Sequence, residues 1–427
     1  MKICVFTLGC KLNFYESDGL IGELNKLGYE TTNKLEYADI YILNTCAVTN
    51  EGERKSRQLV TRVRNFNKDA KIIVCGCASQ KNSEQFKKLG VSVIFGNGFK
   101  FEIISKINEL SYIDNRKPPL SFTDEFKSGT QRVRAYLKVQ DGCNNFCSYC
   151  IIPFTRGRSR SRDLQNIIKE AESLSENNKE IVLTGINLSD FKPSLITLIE
   201  SLSHINSRIR LGSLEVNVIT EDFLERLTKI NNFCPHFHLS LQSGNSEVLN
   251  KMNRHYTKEE YINKVNLIRK YFPFASFTTD LIVGFPGETE EQFLDSLNTL
   301  EIVNFFNVHC FPYSKREGTK ASYMPQVLNE IKKQRVKVVE NLNKKFFENY
   351  INLLKNNKVL QNLLIEEVVN LNGENYFVGH SEYYVKCYIK FNENLKENEI
   401  FTGEIDKIFY NGVLLKWKQL FVEWVGV

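Results

Sequence analysis

Two periodicities alternate along the first two-thirds of this chain, and a third pattern takes over near its end. From residue 1 to about 125, short apolar runs at 2–7, 40–44, 72–75 and 93–95 are separated by stretches with helical spacing, 15–27 and 51–64 among them. Buried strands alternating with helices predict a parallel sheet covered on both faces. The polar stretch 111–130, with Lys117-Pro118-Pro119 and Lys127-Ser128-Gly129, reads as a linker. The strand–helix unit then returns six times, with strands expected at 135–140, 181–184, 209–213, 236–240, 278–282 and 307–311. Six such units predict a partial (βα)6 barrel, two short of the closed eightfold form. A long amphipathic helix is expected over 327–354. Five alternating strands, at 362–369, 376–379, 383–391, 400–410 and 412–417, then predict a small β-barrel, an architecture used to bind nucleic acid through aromatic and basic side chains and equally able to serve as a cap. The fold class is thus α/β with a small all-β module, in domains 1–125, 131–354 and 355–427.

Composition narrows the class. The 427 residues are 42% hydrophobic and 25% charged, with a net charge of +6, ordinary for a globular protein. The first apolar stretch is six residues long and no run approaches about 18, so neither export nor a membrane span is expected; residues 421–427 are too short for a C-terminal anchor. Eleven cysteines without a secretory signal point to reduced thiols, metal ligation and a cytoplasmic protein. The positive charge is clustered: Arg54, Lys55, Arg57, Arg62 and Arg64 share one expected helix, and Arg156, Arg158, Arg160 and Arg162 follow a cysteine-rich loop. Such clusters are often solvated faces, but beside a reactive motif they suggest an anionic macromolecule, nucleic acid first.

That motif is Asp-Gly-Cys-Asn-Asn-Phe-Cys-Ser-Tyr-Cys, with Cys143, Cys147 and Cys150 spaced C-x3-C-x2-C. Neither a fourth cysteine nor a histidine is near, whereas structural zinc closes its tetrahedron. A four-iron cluster on three cysteines keeps one iron free of protein ligand, where a small molecule can bind. Cys10, Cys46 and Cys77 each follow an expected strand of the first sheet. Ligand sites in open parallel sheets form outside the carboxyl ends of the strands, so these three would converge as a second three-thiolate site; buried structural cysteines are the competing reading. Cys75 is expected to point into the strand core. In the barrel, Gly185, Glu215, Gln242-Ser243-Gly244, Gly284 through Glu288 and Tyr313-Ser314 lie just beyond strand ends, on the face where barrels place their chemistry.

The C-x3-C-x2-C run resembles the signature of radical S-adenosylmethionine (SAM) enzymes. Taken with Thr7-Leu-Gly-Cys-Lys-Leu-Asn, Asn44-Thr-Cys-Ala-Val-Thr, Gly76-Cys-Ala-Ser-Gln, Ile151-Ile-Pro-Phe-Thr-Arg-Gly-Arg-Ser-Arg, Leu239-Ser-Leu-Gln-Ser-Gly, Asp280-Leu-Ile-Val-Gly-Phe-Pro-Gly-Glu-Thr and Phe311-Pro-Tyr-Ser, the chain resembles the methylthiotransferases over nearly its whole length. The resemblance implies two [4Fe-4S] clusters, SAM bound on the one held by Cys143, Cys147 and Cys150, and an auxiliary cluster on Cys10, Cys46 and Cys77. It implies SAM contacts from Gly185, Glu215, Gln242, Gly287 and Glu288, RNA contacts from Arg156, Arg158, Arg160 and Arg162, and a C-terminal RNA-binding TRAM domain. No residue is assigned as a catalytic acid or base. The run Gly9-Cys-Lys-Leu-Asn-Phe-Tyr-Glu-Ser and Glu53-Arg-Lys-Ser-Arg are most like the MtaB subgroup, which implies transfer of a methylthio group to carbon 2 of N6-threonylcarbamoyladenosine at position 37 of tRNA. A sulfur donor and an electron donor would be required. The alternatives are the same chemistry on another adenosine derivative or a ribosomal protein side chain, and a non-catalytic iron–sulfur RNA-binding protein.

Overall fold

A computed structural model describes residues 1–114, 116–122 and 132–417; Lys127-Ser128-Gly129 of the expected linker and residues 421–427 lie outside them. The first sheet has six parallel strands, β1 (Lys2–Thr7), β2 (Glu30–Thr32), β3 (Ile40–Thr45), β4 (Lys71–Gly76), β5 (Val93–Ile94) and β6 (Tyr112–Ile113), in the order β2-β1-β3-β4-β5-β6. Its strands are apolar on both sides for a reason visible in register. Ile3, Val5, Ile40, Ile42, Ile73 and Cys75 pack on one face, while Cys4, Tyr41, Leu43, Ile72 and Val74 pack on the other. Helices cover both faces, as a sheet of this kind requires. The strand order reverses between β1 and β3, and that reversal opens the crevice at their carboxyl ends. Two short strands were not legible in the sequence: β2, and β6, which lies inside the segment read as a linker.

The second unit is the partial barrel, built from β7 (Arg134–Lys138), β10 (Glu180–Thr184), β11 (Arg208–Leu211), β12 (Ser213–Leu214), β13 (His236–Leu239), β14 (Ser276–Val283) and β15 (Asn307–Pro312), all paired parallel. Gly212 interrupts the third strand, so it is recorded as β11 and β12. A short ribbon, β8 (Gln140–Asp141) against β9 (Arg160–Ser161), brackets the cysteine loop between them. β7 and β15 are the barrel's two edges. Helix Asn329–Asn356 covers β15, its Asn343 amide accepting from Val308 N–H at 2.8 Å and donating to Val308 O at 2.7 Å. An edge strand so covered is closed to pairing with other chains.

The C-terminal strands β16 (Gln361–Leu371), β17 (Glu374–His380), β18 (Lys386–Lys390), β19 (Ile400–Phe409) and β20 (Gly412–Trp417) close in the order β16-β17-β18-β20-β19. This small barrel seats on the amino-terminal mouth of the large one. Arg208 donates to Asn362 O and His380 O, and Arg210 to Ser381 O and Glu382 O, at 2.6–3.0 Å. Both guanidiniums also bind the buried Glu180. Tyr384, held at φ +65°, stacks on His236 with 4.5 Å between ring centroids.

Candidate active site

All six cysteines of the two triads line one cavity of about 360 Å³ where the carboxyl ends of the first sheet face those of the barrel. On the sheet side, Cys10 caps helix Lys11–Lys26, Cys46 directly follows β3, and Cys77 opens helix Cys77–Lys81. Thiolates at helix amino termini are favoured by the backbone dipole. The loops are held by small residues. Gly76 sits at φ +105°, and a Cβ there would come 2.5 Å from Thr45 O. The Asn13 amide ties the first loop to the second, donating to Leu8 O at 2.7 Å and Thr45 O at 3.2 Å.

On the barrel side the cysteine loop is stapled by Ser148, whose N–H donates to Met252 O at 2.9 Å and whose carbonyl accepts from Ala321 N–H at 2.8 Å. Each triad receives hydrogen bonds at sulfur. The Val48, Asn145 and Ile152 N–H groups point to Cys46, Cys143 and Cys150 Sγ at 3.5 Å, and Arg254 Nη1 lies 3.5 Å from Cys147 Sγ. Arg254 is itself held by Glu215, and its Nε by the Tyr256 hydroxyl. Arg156 occupies the matching position on the other side, its cation felt by Cys77 and Cys10. Burial pushes the Cys46 and Cys143 thiols up to about 11 and Cys150 up to about 12, so binding iron at either site must displace protons.

The donor set fits clusters better than single ions. Among the described residues the trio whose ligand atoms all lie within 4.8 Å of one another is His238, Asp280 and His309. Three thiolates on one zinc would sit about 4 Å apart, closer than either cysteine triad.

Several sequence expectations need correction. Arg156 and Arg160 are buried, not presented to RNA. Arg156 is spent on Glu16 Oε1 (3.0 Å), Asp141 Oδ1 (3.1 Å) and Asn13 Oδ1 (2.6 Å), and Arg160 on Asp141 Oδ2 (2.9 Å). Arg162 is paired with Glu170 at 2.5 Å. Arg158 alone of the four is exposed, its guanidinium 4.2 Å over the Phe146 ring. Of the residues expected at SAM, Glu215 and Gln242 line the cavity, whereas Gly185, Gly287 and Glu288 lie outside its lining. Glu288 is committed elsewhere: it accepts from Gly284 N–H and from Arg335 Nη1, both at 2.6 Å. Arg254, Asn13 and the His238–Asp280–His309 trio were missed, because nothing in local spacing marks a residue whose partner lies in another loop.

Residues 2–96 match the model of the uncharacterized protein family UPF0004, and residues 137–300 that of the radical SAM superfamily. The chain is 36% identical to a Bacillus subtilis protein named threonylcarbamoyladenosine tRNA methylthiotransferase MtaB, over 92% of this chain and 91% of that one. The chain belongs to the radical SAM methylthiotransferase family. Another methylthiotransferase relative, tRNA-2-methylthio-N(6)-dimethylallyladenosine synthase of Caldicellulosiruptor saccharolyticus, is 36% identical over 79% of this chain and 78% of its own. The fold is similar to that of the radical SAM methyltransferase TsrM from Kitasatospora setae, with a TM-score of 0.58, 15% identity and coverage of 75% and 77%. Membership of the radical SAM superfamily brings with it one [4Fe-4S] cluster and SAM. Among the described residues no helix is long and apolar enough to cross a membrane.

Proposed function

We propose that this methylthiotransferase places a methylthio group on carbon 2 of N6-threonylcarbamoyladenosine at position 37 of tRNA, drawing on SAM both as radical source and as methyl donor. The observation that carries the reading is the sharing of one cavity by two cysteine triads from different domains. Cys143, Cys147 and Cys150 would hold the SAM-binding [4Fe-4S] cluster, and Cys10, Cys46 and Cys77 an auxiliary one. Bound there, the cluster with SAM would supply one-electron chemistry able to activate an aromatic C–H bond, which no side-chain acid or base can do.

The protein's own part is binding and alignment. Arg254 and Arg156 place one cation beside each thiolate set, offsetting the charge that accumulates on sulfur. Glu215 and Gln242 line the cavity from the barrel side, which supports them as SAM contacts. The apolar side chains Ile151, Ile152, Ile282 and Phe311 line the same space and keep water from the reacting carbon. A sulfur donor and an electron donor complete the reaction, in the cytoplasm with tRNA. The test is mass spectrometry of tRNA nucleosides from cells with and without the gene. Loss of the 2-methylthio nucleoside, about 46 mass units heavier than its accumulating precursor, is expected from replacement of hydrogen by a methylthio group. Unchanged tRNA nucleosides would overturn the reading.

A further inference from the structure

Outside the two cysteine triads, three side chains able to bind a metal converge on the inner wall of the partial barrel. His238 stands on β13, Asp280 on β14 and His309 on β15. Parallel register sets them on one face: His238 pairs with Thr278, Asp280 with His309, and Ile282 with Phe311. Side chains two residues apart share a face of a strand. Ile282 and Phe311 of this face line the cavity, as does Asp280.

The ligand atoms of the three all lie within 4.8 Å of one another. Asp280 presents one oxygen to each imidazole, Oδ2 at 3.5 Å from His238 Nε2 and Oδ1 at 3.3 Å from His309 Nδ1. Both separations exceed those of charge-assisted hydrogen bonds, about 2.7–2.9 Å. They match neighbouring ligands on one ion: nitrogen and oxygen atoms at about 2.0–2.2 Å from tetrahedral zinc stand about 3.4 Å from each other. The imidazole centroids are 5.6 Å apart, with planes 26° from parallel, against about 5 Å for two rings that share such an ion. His238 also has the outer partner that orients a ligand. Its Nδ1 lies 2.9 Å from Thr278 Oγ1, which leaves Nε2 as the nitrogen turned to Asp280. A hydroxyl oxygen carries two lone pairs, so Thr278 can accept from His238 while it meets His236 Nε2 at 2.8 Å. An ion has a way in, because the side chains of Asp280 and His309 are 32% and 42% exposed.

We propose that His238, Asp280 and His309 bind one first-row divalent cation, zinc foremost, through His238 Nε2, His309 Nδ1 and the Asp280 carboxylate. Two imidazoles and a carboxylate suit zinc or ferrous iron over magnesium or calcium, which take oxygen ligands. Three protein ligands leave a tetrahedral ion one position open to an oxygen of water or of a bound molecule. The site is distinct from both thiolate sets and does not depend on which nucleoside is modified.

The test is zinc uptake by the untagged, cluster-loaded protein under anaerobic conditions, with zinc and iron per chain counted by plasma mass spectrometry after free metal is removed. The wild type should take up about one zinc per chain with no loss of iron. His309→Gln should take up none at the same free zinc, again with iron unchanged; the side chain is exposed, so its replacement leaves the core intact. X-ray absorption at the zinc edge of the wild type should show nitrogen and oxygen neighbours alone, at about 2.0–2.2 Å, and no sulfur at about 2.3 Å. That pattern separates this site from zinc captured by cysteine without recourse to any variant. A wild type that takes up no zinc, zinc that enters only as iron leaves, sulfur in its coordination shell, or full uptake by His309→Gln would each overturn the proposal.

Discussion

Arg156 Nη1 donates to Glu16 Oε1 at 3.0 Å across the boundary between the first sheet domain and the barrel, and neither side chain reaches solvent. Lys100, Lys138, Asp141 and Arg160 complete the same buried network, which lies behind Cys10 and Cys77. The two halves of the cavity are thus set against each other by charge as well as by packing. Removing one member strands the others without water.

Glu16→Gln should cost about 3–5 kcal/mol, the range for an uncompensated buried charge, and lower the melting temperature. Burial by itself would raise the Glu16 pKa, but Arg156, Lys100 and Lys138 outweigh it and hold the carboxyl well below its usual range. A depressed carboxylate contributes stability that is complete above about pH 4 and is lost as pH falls toward the folded-state value. Asp141 is depressed in the same way by Lys138, Arg156 and Arg160. The wild-type melting temperature should fall steeply below pH 4, and Glu16→Gln should show a shallower slope there. Parallel slopes would show that Glu16 does not carry the acid sensitivity.

Arg158 provides a separable test of RNA contact. Exposed and stacked over Phe146, it is free to meet a phosphate. Arg158→Glu should weaken tRNA binding and lower the salt slope of the association constant by about one unit, with no change in melting temperature. An unchanged slope would remove Arg158 from the RNA surface.

The misreading of its neighbours shows what a single sequence conceals. Arginines at 156, 158, 160 and 162 look like one exposed basic stripe, yet three of them meet carboxylates, and Glu16 is 140 residues away from Arg156. The strands were legible because alternation of apolar runs is local; β1 and β20 lie where the pattern put them. Tyr112–Ile113 was not, since this pair is only half-buried and sits in a polar stretch, and Gly212 broke a strand that hydropathy read as continuous. That the six cysteines would gather beyond the strand ends could be read from spacing and from their position after strands, and they do line one cavity. Arg254 and the His238–Asp280–His309 trio arise where separate loops and strands meet, and only the fold brings them together.

The seat of the C-terminal barrel is similarly testable. Glu180 is fully buried between Arg208 and Arg210, which also bind the carbonyls of the 380–382 turn. Arg210→Leu removes two of the hydrogen bonds to the buried Glu180 and the donor to Glu382 O, a loss of about 3–5 kcal/mol. Limited proteolysis should then cut near residues 356–360 faster than in the wild type, while the barrel core remains resistant. Equal cleavage rates would mean that docking rests on the Tyr384 stack instead.

Gly76→Ala distinguishes the two cysteine sites. At φ +105° with Thr45 O 2.5 Å from where a Cβ would stand, alanine forces the turn that delivers Cys77 to move. Left-handed strain of this kind costs about 1–3 kcal/mol, too little to unfold a chain of this size but enough to displace one ligand of three. The barrel's cysteine loop is stapled independently by Ser148 to Met252 and Ala321, so Cys143, Cys147 and Cys150 should remain in place. On the proposal that Cys10, Cys46 and Cys77 hold a second cluster, the variant is expected to bind about half the wild-type iron. It should still cleave SAM to 5′-deoxyadenosine under reductant, and it should yield no methylthiolated tRNA. If the iron content stays at the wild-type level and product still forms, Gly76 is not needed to place Cys77. If SAM cleavage is lost together with the iron, the two sites are not assembled independently, and the division of labour between the sheet and the barrel fails.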